Sequence, residues 1–138
     1  MLIEQRVYRL LNNNLELTSM LDEIRGREFD PSGEIDSGIF TAEIPDLFRK
    51  EEDAPFIRIN AVSESPGIYA DNEATAEFQS VQVDFWCKEL SHSLRLRDKI
   101  DEILKGAGLT QYFSTRYPDP DIKLNMNVRK YNFLDFDK

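Results

Sequence analysis

One histidine, one cysteine and two Asp-x-Asp pairs are the residues of this 138-residue chain whose types admit chemistry. His92 stands between Ser91 and Ser93, and a Ser–His pairing is the arrangement that activates a hydroxyl nucleophile. Neighbours in sequence point in different directions, however, and no oxyanion-hole motif accompanies them. His92 therefore reads as an exposed residue at the start of a helix. Cys87 falls on the apolar side of an alternating stretch, with nothing near it to lower its pKa, and reads as a small hydrophobe. A single cysteine excludes an internal disulfide and a thiolate zinc cluster. Asp119 with Asp121, and Asp135 with Asp137, have a spacing that can serve magnesium or calcium. Yet Pro120 inside the first pair favours a turn, the second pair lies in a polar tail, and no glycine-centred loop supplies further oxygen ligands. Neither G-x-x-x-x-G-K-[ST] nor G-x-G-x-x-G is present. These residues predict no enzyme, no metal site and no cofactor.

Composition narrows the class of partner. The formal net charge is −9, from 26 acidic against 17 basic residues, whereas a free-standing nucleic-acid binder presents a basic patch to phosphates. The acid surplus serves solubility, or it makes a surface that repels or mimics DNA. No apolar run approaches the roughly 20 residues of a membrane helix, and MLIEQRVYRLL mixes charges into a helical pattern unlike a signal peptide. The expected setting is the cytoplasm where the chain is made.

The elements that must position these residues follow from periodicity. Ile3, Val7, Leu10 and Leu11 mark one helical face, ended by Asn12-Asn13-Asn14. Leu17, Leu21 and Ile24 form one or two further turns, capped by Thr18 or Ser19 and ended at Gly26. Residues 27–38 are a polar loop, Ile39–Ile44 a short strand stopped by Pro45, and 45–55 a second exposed connection. Phe56–Val62 is a strand, residues 63–76 a long loop with Pro66-Gly67 and Asp71-Asn72 turn signals, and 77–88 the partner strand. Leu96, Ile100, Ile103, Leu104 and Ala107 stripe the clearest helix, ended by Gly106 and Gly108. Ile122–Phe133 is a last strand, whose parity breaks near Lys130. The class is α+β, a mainly antiparallel sheet with two helices packed on one face, in a single domain spanning residues 1–138.

In SVQVDFWCK, Val81, Val83, Phe85 and Cys87 alternate with Gln82, Asp84, Trp86 and Lys88, so the only tryptophan sits opposite the helix-packed face. With Asp84 and, from the paired strand, Phe56 and Arg58, Trp86 makes an interface to a neighbouring molecule. The other reading is self-cover, in which the long loop folds over Trp86 through Ile68 and Tyr69.

The helix IEQRVYRLL, the strands APFIRINAV and VQVDFWCKE, the helix LRLRDKIDEILKGAGL and the closing strand LNMNVRKYNF, in this order, resemble the tail terminator and tail-completion proteins of long-tailed (siphovirus) phages and prophages. The resemblance implies a structural protein, not an enzyme, that assembles as a homo-oligomeric ring, usually a hexamer. Such a ring ends tail-tube polymerisation and forms the surface joined by the head connector proteins, with DNA passing through and no specific binding. Its setting would be the bacterial host cytoplasm during assembly, then the virion tail. In such proteins long loops meet the tube or connector, which implies that role for Glu34, Asp36, Ile68, Tyr69 and Asp71. The rivals are another head-completion or tail-assembly component, an acidic DNA-mimic inhibitor, and a small metal-dependent enzyme built around Asp119 and Asp121.

Overall fold

The computed structural model describes residues 1–32, 37–70 and 73–136. Helix α1 (Ile3–Asn12) buries Ile3, Val7 and Leu11 completely, because the i, i+4, i+8 spacing lines them along one face. The Gln5 side chain reaches back to accept from the Leu2 N–H at 3.2 Å, satisfying one of the donors that a helix start leaves open. Helix α2 (Leu15–Arg25) begins earlier than its apolar spacing suggested. Asn14, not Thr18 or Ser19, is its cap, accepting from the Leu17 N–H at 2.9 Å, and Gly26 ends it at φ 84°, a left-handed geometry that only glycine adopts at little cost.

Five strands make one sheet in the order β1-β2-β3-β5-β4: β1 (Ile39–Thr41), β2 (Phe56–Ala70), β3 (Glu73–Cys87), β4 (Thr110–Pro118) and β5 (Asn125–Asp135). Only β1 runs parallel to its neighbour; the other three pairings are antiparallel. Between β3 and β4 lies α3 (Leu90–Gly106), whose buried stripe is Leu96, Ile100 and Leu104. All three helices pack on one face of the sheet, against Ile57, Ile59, Val81, Val83, Phe85, Cys87 and Tyr131. The class is therefore α+β, with three helices in place of the two expected. Among the described residues no helix is long and apolar enough to cross a membrane.

A carboxylate pins α3 to the sheet. Asp101 accepts from Arg129 Nε at 3.0 Å and Nη2 at 2.6 Å, a forked pair, and also from the Tyr131 hydroxyl. Burial, then this bond to Asp101, pushes the Tyr131 hydroxyl well above its ordinary range. Polar residues thus sit inside the helix face of β5 because each meets a partner.

Two segments depart from the sequence reading. Residues 63–70 and 73–76 are not a loop: β2 and β3 run on as fifteen-residue antiparallel arms, paired through to Ala70↔Glu73. Pro66 is accommodated by register shifts on either side of it, as fits a strand whose outer edge is unpaired. The nine residues of β4, TQYFSTRYP, form an edge strand for which periodicity gave no signal, since every one of them is exposed and no face selects apolar residues.

Candidate assembly surface

The interface expected around Trp86 is instead the centre of a second core. Trp86 and Phe56 are directly opposite each other across β3 and β2, with ring centroids 5.2 Å apart, and both are 0 % exposed. Phe29, Ile44, Ala54, Leu124, Met126 and Val128 complete the cluster, with Phe40, Phe48 and Ile122 packed against it. A fully buried ring cannot meet a neighbouring molecule. The interface assignment for Trp86 and Phe56 is therefore corrected, and so is the alternative cover, because Ile68 and Tyr69 stay 41 % and 61 % exposed. The cover comes from Phe29 and Phe48, in the two segments read as polar loops, and from Phe40 and Ile44 of the stretch read as a short strand between them, which fold over this end of the sheet. Phe29 and Phe48 were the signal within otherwise polar stretches.

Asp84 and Arg58 form the next cross-strand pair on the same face. Arg58 donates from Nε at 3.1 Å and Nη2 at 2.8 Å to the same Asp84 oxygen, and its guanidinium lies 5.1 Å from the Trp86 ring centroid. Asp84 is fully buried, so it too leaves the candidate interface. The pair closes the open side of the tryptophan cluster. Glu34, Asp36 and Asp71 lie outside the described residues.

Asp119 is committed to this core. Its Oδ2 accepts from Trp86 Nε1 at 2.8 Å and Arg49 Nη2 at 3.0 Å; its Oδ1 accepts from the backbone N–H groups of Asp121 and Ile122. Burial alone would raise its pKa, but the indole bond, those backbone donors and the Arg49 charge outweigh it and hold the carboxyl below its usual 3.8. Arg49 also stands 3.8 Å from Asp121, so the cation between these two carboxylates is a guanidinium. Among the described residues no group of three or more His, Cys, Asp or Glu side chains is placed to hold a metal ion. His92 faces Glu89 at 3.5 Å, while the Ser93 hydroxyl accepts from Asn127 at 2.9 Å, so no Ser–His pair forms. Burial pushes the Cys87 thiol up to about 12, where it carries no nucleophilic thiolate at neutral pH.

What remains exposed is a set of protein-facing surfaces. Past the Glu77↔Asp135 pair β5 ends, and the hairpin continues as two strands alone for roughly 15 Å, at about 3.3 Å per residue, carrying Ile68 and Tyr69. On the outer face, Tyr112, Phe113, Tyr117 and Phe78 are 46 %, 43 %, 41 % and 39 % exposed. Three of the four are held in place: the Tyr112 hydroxyl bonds Ser80 Oγ at 2.5 Å, the Tyr117 hydroxyl donates to the Met126 sulfur at 3.2 Å, and Lys130 Nζ lies 5.0 Å from the Phe113 ring centroid. A rigid, exposed aromatic row is the kind of surface that other proteins cover.

Charge divides between the two edges of the sheet. At the β4 edge, Arg97, Arg116 and Arg129 line a cavity of about 90 Å³, and Arg116, bonded through Nε to Asn127 Oδ1 at 2.5 Å, has no ion-pair partner among the described residues. At the β1–β2 edge, Glu43 and Glu64 are exposed and likewise unpaired among the described residues, as are Asp46, Glu51 and Glu52 in the segment that connects β1 to β2. No family model matches the chain, and no curated protein matches its sequence.

Proposed function

We propose that this chain is a structural morphogenesis protein of a long-tailed phage, a tail terminator or tail-completion protein. It forms a homo-oligomeric ring that ends tail-tube polymerisation and presents the head-joining surface. The observation that carries this reading is the hairpin arm. It extends beyond the third strand, with Ile68 and Tyr69 exposed near its end, a shape suited to reaching a tube or connector subunit. Supporting it, the side chains that suggested catalysis are engaged in the protein's own packing: Asp119 in the Trp86 cluster and Cys87 beneath the helices. The surplus of acidic charge suits a ring through which DNA slides without adhering. An acidic DNA-mimic inhibitor is the second reading, favoured by exposed Glu43, Asp46, Glu51, Glu52 and Glu64, which are unpaired among the described residues.

The test is light scattering behind a sizing column over a concentration series, repeated with tail tubes added and imaged by electron microscopy. A ring-sized species, free or capping tube ends, is the expected result. A strict monomer at every concentration that leaves tube ends bare would overturn it, and inhibition of a DNA-binding protein by that monomer would establish the rival.

A further inference from the structure

The sheet has two unpaired edges, and their strand directions permit only one way of joining copies into a ring. β2 and β5 run one way, β3 and β4 the other. Among the described residues the outer edge of β4 has no neighbour, and β1 covers β2 only from Ile57 to Ile59, with the Ala42 N–H bonding the Ile59 carbonyl. From residue 61 outwards the β2 edge is open. If β4 of one copy meets β2 of the next in the same orientation, the two strands are antiparallel. The helices of both copies then lie on the same side. That is a head-to-tail contact, the kind that makes a ring when the rotation between copies closes. Pairing β4 with β4 instead gives a two-fold dimer and stops there.

Resting on the ring reading above, we propose that the seam between copies is a β-ladder between β4 of one copy and residues 62–65 of the next, with Arg116 facing Glu64. A second copy is the occupant because charge and side-chain parity both fit it. β4 contains no acidic residue and one arginine, whereas the other edge carries the unpaired Glu64 and Glu43. Centring the nine residues of β4 on residues 62–70 in antiparallel register sets Arg116 opposite Glu64, Tyr117 opposite Ser63 and Thr115 opposite Ser65. Faces agree in each case. Glu64 lies beside Gln79 on the helix side, and Arg116 bonds Asn127, which in turn reaches Ser93 of α3. Ser63 and Ser65 lie beside Ser80 and Phe78 on the outer side, as Thr115 and Tyr117 lie beside Val128 and Met126. Opposed residues of a ladder share a face, so no slip is needed. The join would cover half-exposed Tyr117 and Val62. Pro66, which has no N–H, ends the regular ladder; the seam is short, and free protein should assemble only when concentrated or templated.

Charge exchange tests this directly. Arg116→Glu and Glu64→Arg, both at exposed positions, should each raise the half-assembly concentration by about tenfold or more while leaving far-UV circular dichroism unchanged. The double variant R116E/E64R should assemble again. So should an equimolar mixture of the two single variants, since alternating copies restore every pair. Single variants that form rings as readily as the parent overturn the seam while leaving the ring reading intact. A parent that forms no ring, alone or on tubes, overturns the ring reading and the seam with it. A species that stops at two copies identifies β4–β4 pairing and overturns the seam. As a second measurement, Ser63→Cys with Tyr117→Cys in one chain should give a ladder of disulfide-linked multimers under oxidation, and a product that remains monomeric overturns the register.

Discussion

Trp86 donates its indole N–H to Asp119 at 2.8 Å, joining residues 33 apart in sequence beneath the outer face of the sheet. Trp86→Phe should leave one acceptor site of Asp119 unfilled while Arg49 still holds the carboxylate, a loss of about 1–3 kcal/mol. Trp86→Ala also empties the space against Phe56 and should cost about 3–5 kcal/mol. Urea unfolding of the isolated chain measures both. If Trp86→Ala impaired assembly at unchanged monomer stability, the buried placement of the ring would be refuted.

The same carboxylate predicts acid behaviour. Asp119 is held below its ordinary value of 3.8, so the unfolded chain takes up a proton at higher pH than the folded one. Its contribution is fully present above about pH 4 and is lost as pH falls through the lower folded value. The stability gap between the parent and Asp119→Asn should therefore narrow from neutral pH to about pH 3. A gap that stayed constant in acid would contradict the assignment.

Arg25 ties α2 to the chain that covers Trp86. Its buried guanidinium donates to the carbonyls of Asp53 at 3.0 Å and Pro55 at 2.5 Å and to Asp22 at 3.0 Å, and lies 4.9 Å from the Phe29 ring centroid. Burial lowers its pKa to about 10, with the Asp22 charge opposing that shift, and it stays charged at neutral pH. Arg25→Met should strand those acceptors and cost about 2–4 kcal/mol. The increase should appear first as faster hydrogen exchange around 53–57, before the strands under α1 loosen.

Removing the two apolar groups near the hairpin end separates reach from fold. Ile68→Ser with Tyr69→Ser changes exposed positions, so thermal stability should move by less than about 1 kcal/mol. Capping of tail tubes should fall at least about tenfold if, as proposed, these residues meet the tube. Retained capping would place that contact elsewhere on the chain.

The parts of the fold legible in the sequence are those where one face is apolar and the other mostly polar. Val81, Val83, Phe85 and Cys87 recur at every second position because the helices cover their side with apolar groups while Gln82 and Asp84 opposite meet polar partners, and Ile3, Val7 and Leu11 recur because one stripe of α1 is dry. Period alone identifies the inner face but not what covers the outer one. Trp86 lies on the expected face but inside a core, since its cover joins Phe29 and Phe48, from stretches without periodicity, to Phe40 and Ile44 beside β1 and to Leu124 just before β5, and no local period reports such a meeting. β4 escaped notice for the opposite reason: with both faces exposed, nothing imposes a pattern on its nine residues. The hairpin arm was disguised by Pro66-Gly67, a turn signal that here lies within a strand. Gly67 fits because a Cβ there would come within 2.7 Å of the Leu134 side chain.

Cys87, sealed beneath the helices with its thiol pushed up to about 12, is silent toward thiol reagents at neutral pH while the chain stays folded. Since it is the only cysteine, the natural chain is already a blank background for site-directed labelling. A dye or spin label placed at any exposed position reports from that position alone. A slow reaction of the unlabelled parent then becomes a clock for global opening, because the thiol is reached only when the helices lift from the sheet.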